Sequence, residues 1–343
     1  MVSGGSSRAK AGLCLLAPVA LLLTGCERAQ NSLEPRSHQS HVIANLFWWM
    51  MGGAWIGLAL VVALLVLARV RAKRRGFGSD TEGLKPAERP GWFVVIGMGI
   101  VVPIVLISTL FVISNLFVIR TTEAPAANAT RLTVLVIGHQ WWWEVRYPGT
   151  GVVTANEIHI PVRTPVRLEV RTADVIHSFW VPELNRKIDT DPGKTNAIEL
   201  NAQQVGRYRG QCAEFCGLQH AHMAMYVFVD SPAAFRRWLA RQARPAAAPP
   251  DAFARAGFRV FANGSCSTCH AIRGTSASSD VGPDLTHVAS RTTLAAVTIP
   301  NRPADLARWI AHSQTIKPGN EMPNIDLRGR RLAAVVAYLE GLK

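Results

Sequence analysis

The sequence predicts three folds in one chain: a hairpin of two membrane-spanning helices, an antiparallel β-sandwich or barrel, and a small all-α domain. Three observations carry this reading. Residues 42–68 and 91–119 are apolar and free of charge. Short stretches rich in β-branched and aromatic residues recur between 131 and 229. A Pro/Ala-rich segment then separates these strands from a C-terminal part with helix-like segments at its two ends.

The N-terminus, residues 1–26, reads as a secretory signal. A basic start is followed by an apolar run and then Leu23-Thr24-Gly25-Cys26. This ending is similar to a bacterial lipoprotein box, which makes Cys26 the candidate lipidated residue and removes Cys14 with the signal. Residues 27–125 follow as the helix hairpin. A helix needs about 20 apolar residues to cross a bilayer, and both stretches exceed that. Between them lie Arg69, Arg71, Lys73, Arg74 and Arg75. By the positive-inside rule this basic run stays cytoplasmic. The prediction is therefore a multi-pass protein of the bacterial inner membrane, in contact with lipid, with everything after Arg120 periplasmic or extracellular. The formal net charge of +14 first suggests nucleic acid. The charge is scattered and no nucleic-acid motif accompanies it, so that class is excluded.

Residues 126–235 form the β-domain. The stretch 131–147 is β-branched and aromatic, 157–171 alternates apolar and polar with Pro161 and Pro165 as punctuation, and further strands are expected near 196–200 and 223–229. The domain carries Cys212-Ala-Glu-Phe-Cys216-Gly-Leu-Gln-His220-Ala-His-Met223, with His177 upstream. Thiolate, imidazole and thioether together favour copper. Two cysteines on one loop can bring both sulfurs to one point, where each can bridge two ions. The residues alone also allow a Cys212–Cys216 disulfide, a zinc site with His177 and His220, or a mononuclear copper site using one cysteine.

Residues 236–250, with Pro245 and Pro250, read as a semi-rigid spacer. In residues 251–343, helix-like Ala252–Ala262 leads into Cys266-Ser-Thr-Cys269-His270, a c-type haem attachment signature. Cys266 and Cys269 would bind haem covalently and His270 would lie beneath the iron. A dithiol redox motif or a zinc knuckle are the competing readings. Met322, the only methionine after Met225, sits in a proline-bounded loop suited to presenting a sixth ligand. His287 and His312 are alternative sixth ligands. Arg328–Leu342 is expected to close the chain as a helix.

Two resemblances sharpen these expectations. Gly138-His-Gln-Trp141-Trp-Trp143, Asp174-Val-Ile-His177-Ser-Phe-Trp-Val-Pro182 and the Cys212–Met223 pattern resemble the binuclear copper motifs of cytochrome c oxidase subunit II. Residues 251–343, with Gly282-Pro-Asp-Leu285 between the haem ligands, resemble a class I cytochrome c. The first resemblance implies a cupredoxin-like Greek-key barrel and a copper A centre. It implies bridging thiolates from Cys212 and Cys216. One copper would add His177 and Met223, the other His220 and the Glu214 carbonyl. The Glu214 side chain would face a magnesium ion shared with subunit I. Trp141 is implied as an exposed site of electron input, whereas spacing makes His222 a non-ligand. Glu88 does not fall at the family's spacing for a proton-path glutamate, and no role follows for it.

The resemblances together imply subunit II of a haem–copper cytochrome c oxidase. It would relay electrons from a soluble or membrane cytochrome c, or another small donor, through haem c and copper A. Subunit I would reduce oxygen, with subunit III as a further partner; no catalytic residue is expected in this chain. A copper A subunit of a nitric or nitrous oxide reductase and a membrane-tethered copper chaperone are the alternatives. Charge adds one expectation. Residues 126–235 hold 10 Lys+Arg and 10 Asp+Glu, whereas 251–343 hold 11 and 7. A neutral copper domain has no acidic surplus for a basic soluble donor, and a tethered haem domain makes one unnecessary.

Overall fold

The computed structural model describes residues 30–74, 90–126, 129–130 and 132–343. The expected signal with Cys14 and Cys26, the basic Arg75, and Glu88 lie outside the described residues. The chain divides into a helical unit, His41–Glu123, and a unit made of the flanking segments up to Ser40 and from Ala124.

The helical unit contains α1 (His38–Arg74) and α2 (Gly91–Thr122), both long and apolar enough to cross a membrane. Each outruns its expected span. At 1.5 Å per residue α1 is about 55 Å long, well beyond a hydrocarbon core of about 30 Å. Backbone hydrogen bonding carries a helix past the bilayer edge, so the basic Arg71, Lys73 and Arg74 occupy its last turn. They also complement the helix dipole there.

The β-domain is two five-stranded sheets packed face to face. One has the order β3 (Val152–Ala155), β2 (Trp142–Tyr147), β1 (Thr133–His139), β5 (Val166–Thr172), β8 (Asn196–Leu200). The other runs β4 (Glu157–Pro161), β10 (Ala224–Asp230), β9 (Gly206–Cys212), β6 (His177–Trp180), β7 (Ile188–Thr190). Alternate residues of each strand fill the space between, including Trp143, Phe179, Leu168 and Ile198. One expectation changes. The sheets are not purely antiparallel, because β1 pairs with β5 and β4 with β10 in parallel. The alternating stretch 157–171 is two strands in different sheets, β4 and β5, broken between Pro161 and Pro165. An earlier crossing between the sheets, from β3 to β4, falls at Asn156, at φ 61°. Its side chain accepts from the Trp143 amide at 2.8 Å, replacing the pairing lost at the corner.

The expected spacer 236–250 is also corrected. Its first half continues α3 (Pro232–Gln242), which Ser231 caps. Phe235 and Trp238 bury one face of α3 against Tyr147. The extended remainder is tied down, with the Ala246 amide donating to the Arg273 carbonyl at 2.9 Å. The C-terminal domain is built from α4 (Ala252–Asn263), α5 (Pro303–Ala311), the one-turn α6 (Ser313–Ile316) and α7 (Gly329–Glu340). Phe258 and Phe261 of α4 pack on Tyr338 of α7, closing the first helix on the last. A two-residue ribbon, Thr293–Leu294 with Ile299–Pro300, is the only paired strand segment described in this domain.

Candidate metal centre and haem cavity

Strands β9 and β10 pair antiparallel, with Gln211 opposite Ala224. The connection between them, 213–223, must therefore fold back on itself at one end of the barrel. This return brings five candidate donors together. Cys212 and Cys216 are free thiols with sulfurs 3.7 Å apart. A disulfide needs about 2.05 Å, so the disulfide reading fails in this geometry. His220 Nδ1 lies 3.6 Å from Cys216 Sγ, and Met223 Sδ lies 3.8 Å from it. The Glu214 carbonyl oxygen lies 3.2 Å from Cys212 Sγ. From β6, beside β9 in the sheet, His177 presents Nδ1 at 3.9 Å from Cys212 Sγ. His177, Cys212, Cys216 and Met223 are buried.

The His177 ring is held from behind. Its Nε2 lies 2.7 Å from Asp174 Oδ1, which turns Nδ1 toward the sulfurs. Burial pushes the Asp174 pKa up, but hydrogen bonds from His177 and from the Gln140 and Val175 amides outweigh it and hold the carboxyl low. Trp143 covers another face of the ring edge-on at 5.8 Å. Gly138 closes in from β1, where an added Cβ would stand 2.7 Å from His177 Cδ2. The thiols are linked electrostatically. A hydrogen bond from Cys216 pulls the Cys212 pKa far down, and that bond, burial and the Cys212 thiolate push Cys216 up. His222 does not join the cluster: its Nδ1 faces Gln219 Oε1 at 2.8 Å and its side chain points outward.

Cys266, Cys269, His270 and Met322 line one cavity in the helical domain. His270 Nδ1 lies 2.8 Å from the Pro283 carbonyl, so Nε2 is the nitrogen left for a ligand. Burial lowers the His270 pKa and favours the neutral ring that a metal requires. Gly282 permits this approach; a Cβ there would meet His270 Cε1 at 2.7 Å. The Met322 loop is pinned by Ser313 Oγ and Gln314 Nε2, which donate to the Met322 carbonyl at 2.7 and 2.8 Å. The alternative sixth ligands fall away. His287 faces the Lys343 and Arg244 carbonyls with its two ring nitrogens, and His312 is exposed outside the cavity.

The β-domain supplies one wall of this cavity through Gln140, Trp141 and Trp142. Trp141 Nε1 donates to the Cys216 carbonyl at 2.9 Å, and Gln140 Nε2 donates to the same oxygen at 2.8 Å. The expectation of an exposed Trp141 is corrected. It is 9% accessible, packed with the β-domain core and lining the cavity.

Residues 150–230 match the family described as cytochrome c oxidase subunit II, periplasmic domain, and residues 254–343 match cytochrome c. The cytochrome c oxidase subunit 2 of Alkalihalophilus pseudofirmus is 32% identical over 94% of this chain and 94% of its own. The chain belongs to the cytochrome c oxidase subunit II family. The subunit 2 of Bacillus subtilis is 28% identical, over 96% of this chain and 97% of its own. A solved periplasmic domain of subunit II from Bradyrhizobium japonicum is 33% identical over 32% of this chain and 92% of that chain, with a TM-score of 0.32.

In this subunit II the subunit II segment implies copper A and the cytochrome c segment implies haem. The residues present fit both groups. A thiolate binds a borderline-soft metal at about 2.3 Å. Twice that exceeds the 3.7 Å between the sulfurs, so both can reach a common ion. The haem cavity gathers two thiols, an oriented imidazole and a thioether within apolar walls. Four contributors were missed at the level of sequence. Asp174 had a signal, standing three residues before His177. Arg291, half-buried, lines the haem cavity, and its buried Nε has no hydrogen-bond partner among the described residues. Glu157 and Lys317 are buried at the contact between the two domains. Nothing in sequence sets these three apart from surface charges.

Proposed function

We propose that this subunit II relays electrons from an external donor to the catalytic subunit I, which reduces oxygen to water. Bound in these two sites, haem c and copper A would supply one-electron chemistry. One observation carries the proposal: Trp141 lines the haem cavity and donates its indole N–H to the Cys216 carbonyl. A single side chain thus joins the two candidate sites.

Each residue then has a task. Cys212 and Cys216 would hold the copper pair together with His177, His220, Met223 and the Glu214 carbonyl. Asp174 fixes the donor nitrogen of His177. Cys266 and Cys269 would tether haem, His270 and Met322 would hold its iron, and the Pro283 carbonyl orients His270. Arg291 directs an unpaired N–H toward a porphyrin carboxylate. Trp141, buried and lining the haem cavity, would take electrons from the haem side and not from a docked protein. The exposed Glu214 side chain is free to face a magnesium ion shared with subunit I. The basic end of α1 stays cytoplasmic, both outer domains stand on the periplasmic side, and Cys26 is lipidated. The burial of both thiols opposes a chaperone role, since metal hand-over needs accessible sulfur.

Metal and haem counts on the full chain in detergent test the assignment. Two copper ions, one haem and the many-line EPR signal of an electron shared by two nuclei are expected. One copper or zinc per chain, or a Cys212–Cys216 disulfide, would overturn it.

A further inference from the structure

The two outer domains exchange buried charges. From the helical domain, Lys317 Nζ donates to the carbonyls of Trp141 at 2.7 Å, His222 at 2.8 Å and Ala295 at 3.4 Å. The first two belong to the β-domain. From the β-domain, Glu157 Oε1 accepts from the Thr292 amide at 2.7 Å, its hydroxyl at 2.6 Å and the Thr293 amide at 3.3 Å. Lys317 is 3% and Glu157 4% accessible.

Charges are seldom buried this deeply without partners that saturate them. Here each partner set is largely the other domain's backbone. Three carbonyl dipoles face the Lys317 ammonium and offset its burial. Each anchor also holds a different wall of the haem cavity. Lys317 O accepts from Asn320 Nδ2 at 2.6 Å, and Asn320 Oδ1 accepts from the Met322 amide at 2.9 Å. Glu157 grips the residues that follow Arg291. Side-chain and backbone contacts lie between the anchors, among them the Ala224 amide donating to the Ala296 carbonyl at 3.4 Å.

We propose that Lys317 and Glu157 form a reciprocal latch that seats the Met322 and Arg291 walls of the haem cavity on the Trp141–Cys216 segment. They are positioning residues. The haem domain stays docked, and its alignment with the copper site is built into the chain and needs no reversible encounter. The latch is a property of the two domains; only its consequence for electron flow rests on the relay reading.

The test uses the full chain, loaded with copper and haem, and reads each variant at the opposite anchor. In Lys317→Met, hydrogen exchange is followed at the Thr292 and Thr293 amides. In Glu157→Ala it is followed at the Ala224 amide. Both should exchange at least tenfold faster, and Glu157→Gln, which keeps a carbonyl acceptor, should recover most of the protection. Haem-to-copper electron transfer after photoreduction should slow at least tenfold in Lys317→Met and Glu157→Ala and become salt-dependent. Unchanged exchange at the opposite anchor in both variants overturns the latch. So does equal loss of the copper or haem absorption band in Glu157→Ala and Glu157→Gln, which would mark a fold-breaking position. Faster exchange in variants of a parent that transfers no electron would uphold the latch and sink the relay.

Discussion

Replacing Gly138 with alanine should weaken copper binding while leaving the barrel folded. Gly138 sits on β1 opposite Trp143 and beside Thr172. Its added Cβ would stand 2.7 Å from His177 Cδ2 and 3.1 Å from Cγ. Ordinary contact needs about 3.5 Å or more between carbons, so the imidazole must retreat by close to 1 Å. It has little room. Asp174 holds Nε2 at 2.7 Å and Trp143 stands edge-on at 5.8 Å. Without metal the ring can turn aside and relieve the clash. With metal, Nδ1 must return to its place and the clash returns with it. Overpacking of this kind costs about 1–3 kcal/mol. If that strain falls wholly on the bound state, affinity drops about 5- to 150-fold. Copper titration of the full chain, followed by its thiolate-to-copper absorption, measures this directly. Near-ultraviolet circular dichroism of the metal-free variant should match the parent. Affinity within twofold of the parent, with the dichroism unchanged, would refute the claim that His177 is held in a preset position.

Two further perturbations probe other parts of the molecule. Gly282→Ala would place a Cβ 2.7 Å from His270 Cε1; covalent haem should be retained, but the low-spin fraction should fall in optical and magnetic spectra. Glu144 is buried, and burial raises its pKa, yet hydrogen bonds from His139 and Arg146 bring it below the ordinary carboxyl value. Its folded pKa thus lies below its unfolded one, so the unfolded chain binds more protons between the two values. That stability is present above about pH 4.5 and is lost as pH falls through the folded pKa. Glu144→Gln should make denaturant midpoints of the outer domains less sensitive to acid in that window, and an identical acid slope would refute the assignment.

Local chemistry was legible in the sequence wherever it depends on spacing along the chain. A charge-free run longer than a bilayer reads as a spanning helix because no other structure satisfies its backbone there. Cys266, Cys269 and His270 read together because three positions within one five-residue stretch must serve one porphyrin. Cys212, Cys216, His220 and Met223 read together because one loop returns between paired strands. Long-range placement was not legible. The parallel pairings of β1 with β5 and β4 with β10 join residues far apart, and strand alternation specifies a face but no neighbour. The helical start of the expected spacer was missed because Pro245, Ala246 and Pro250 masked the amphipathic Phe235 and Trp238.

Composition and motif therefore determined what this subunit II is made of: two spanning helices, a sulfur-rich loop and a haem-binding segment. Only the tertiary structure decided how the outer parts meet. It placed Trp141 under the haem domain, Asp174 behind His177, and Lys317 and Glu157 inside each other's domains. The physical reason is burial. A lysine or glutamate reads as solvated until packing removes the water, and then its partners must come from whatever backbone the fold has brought alongside.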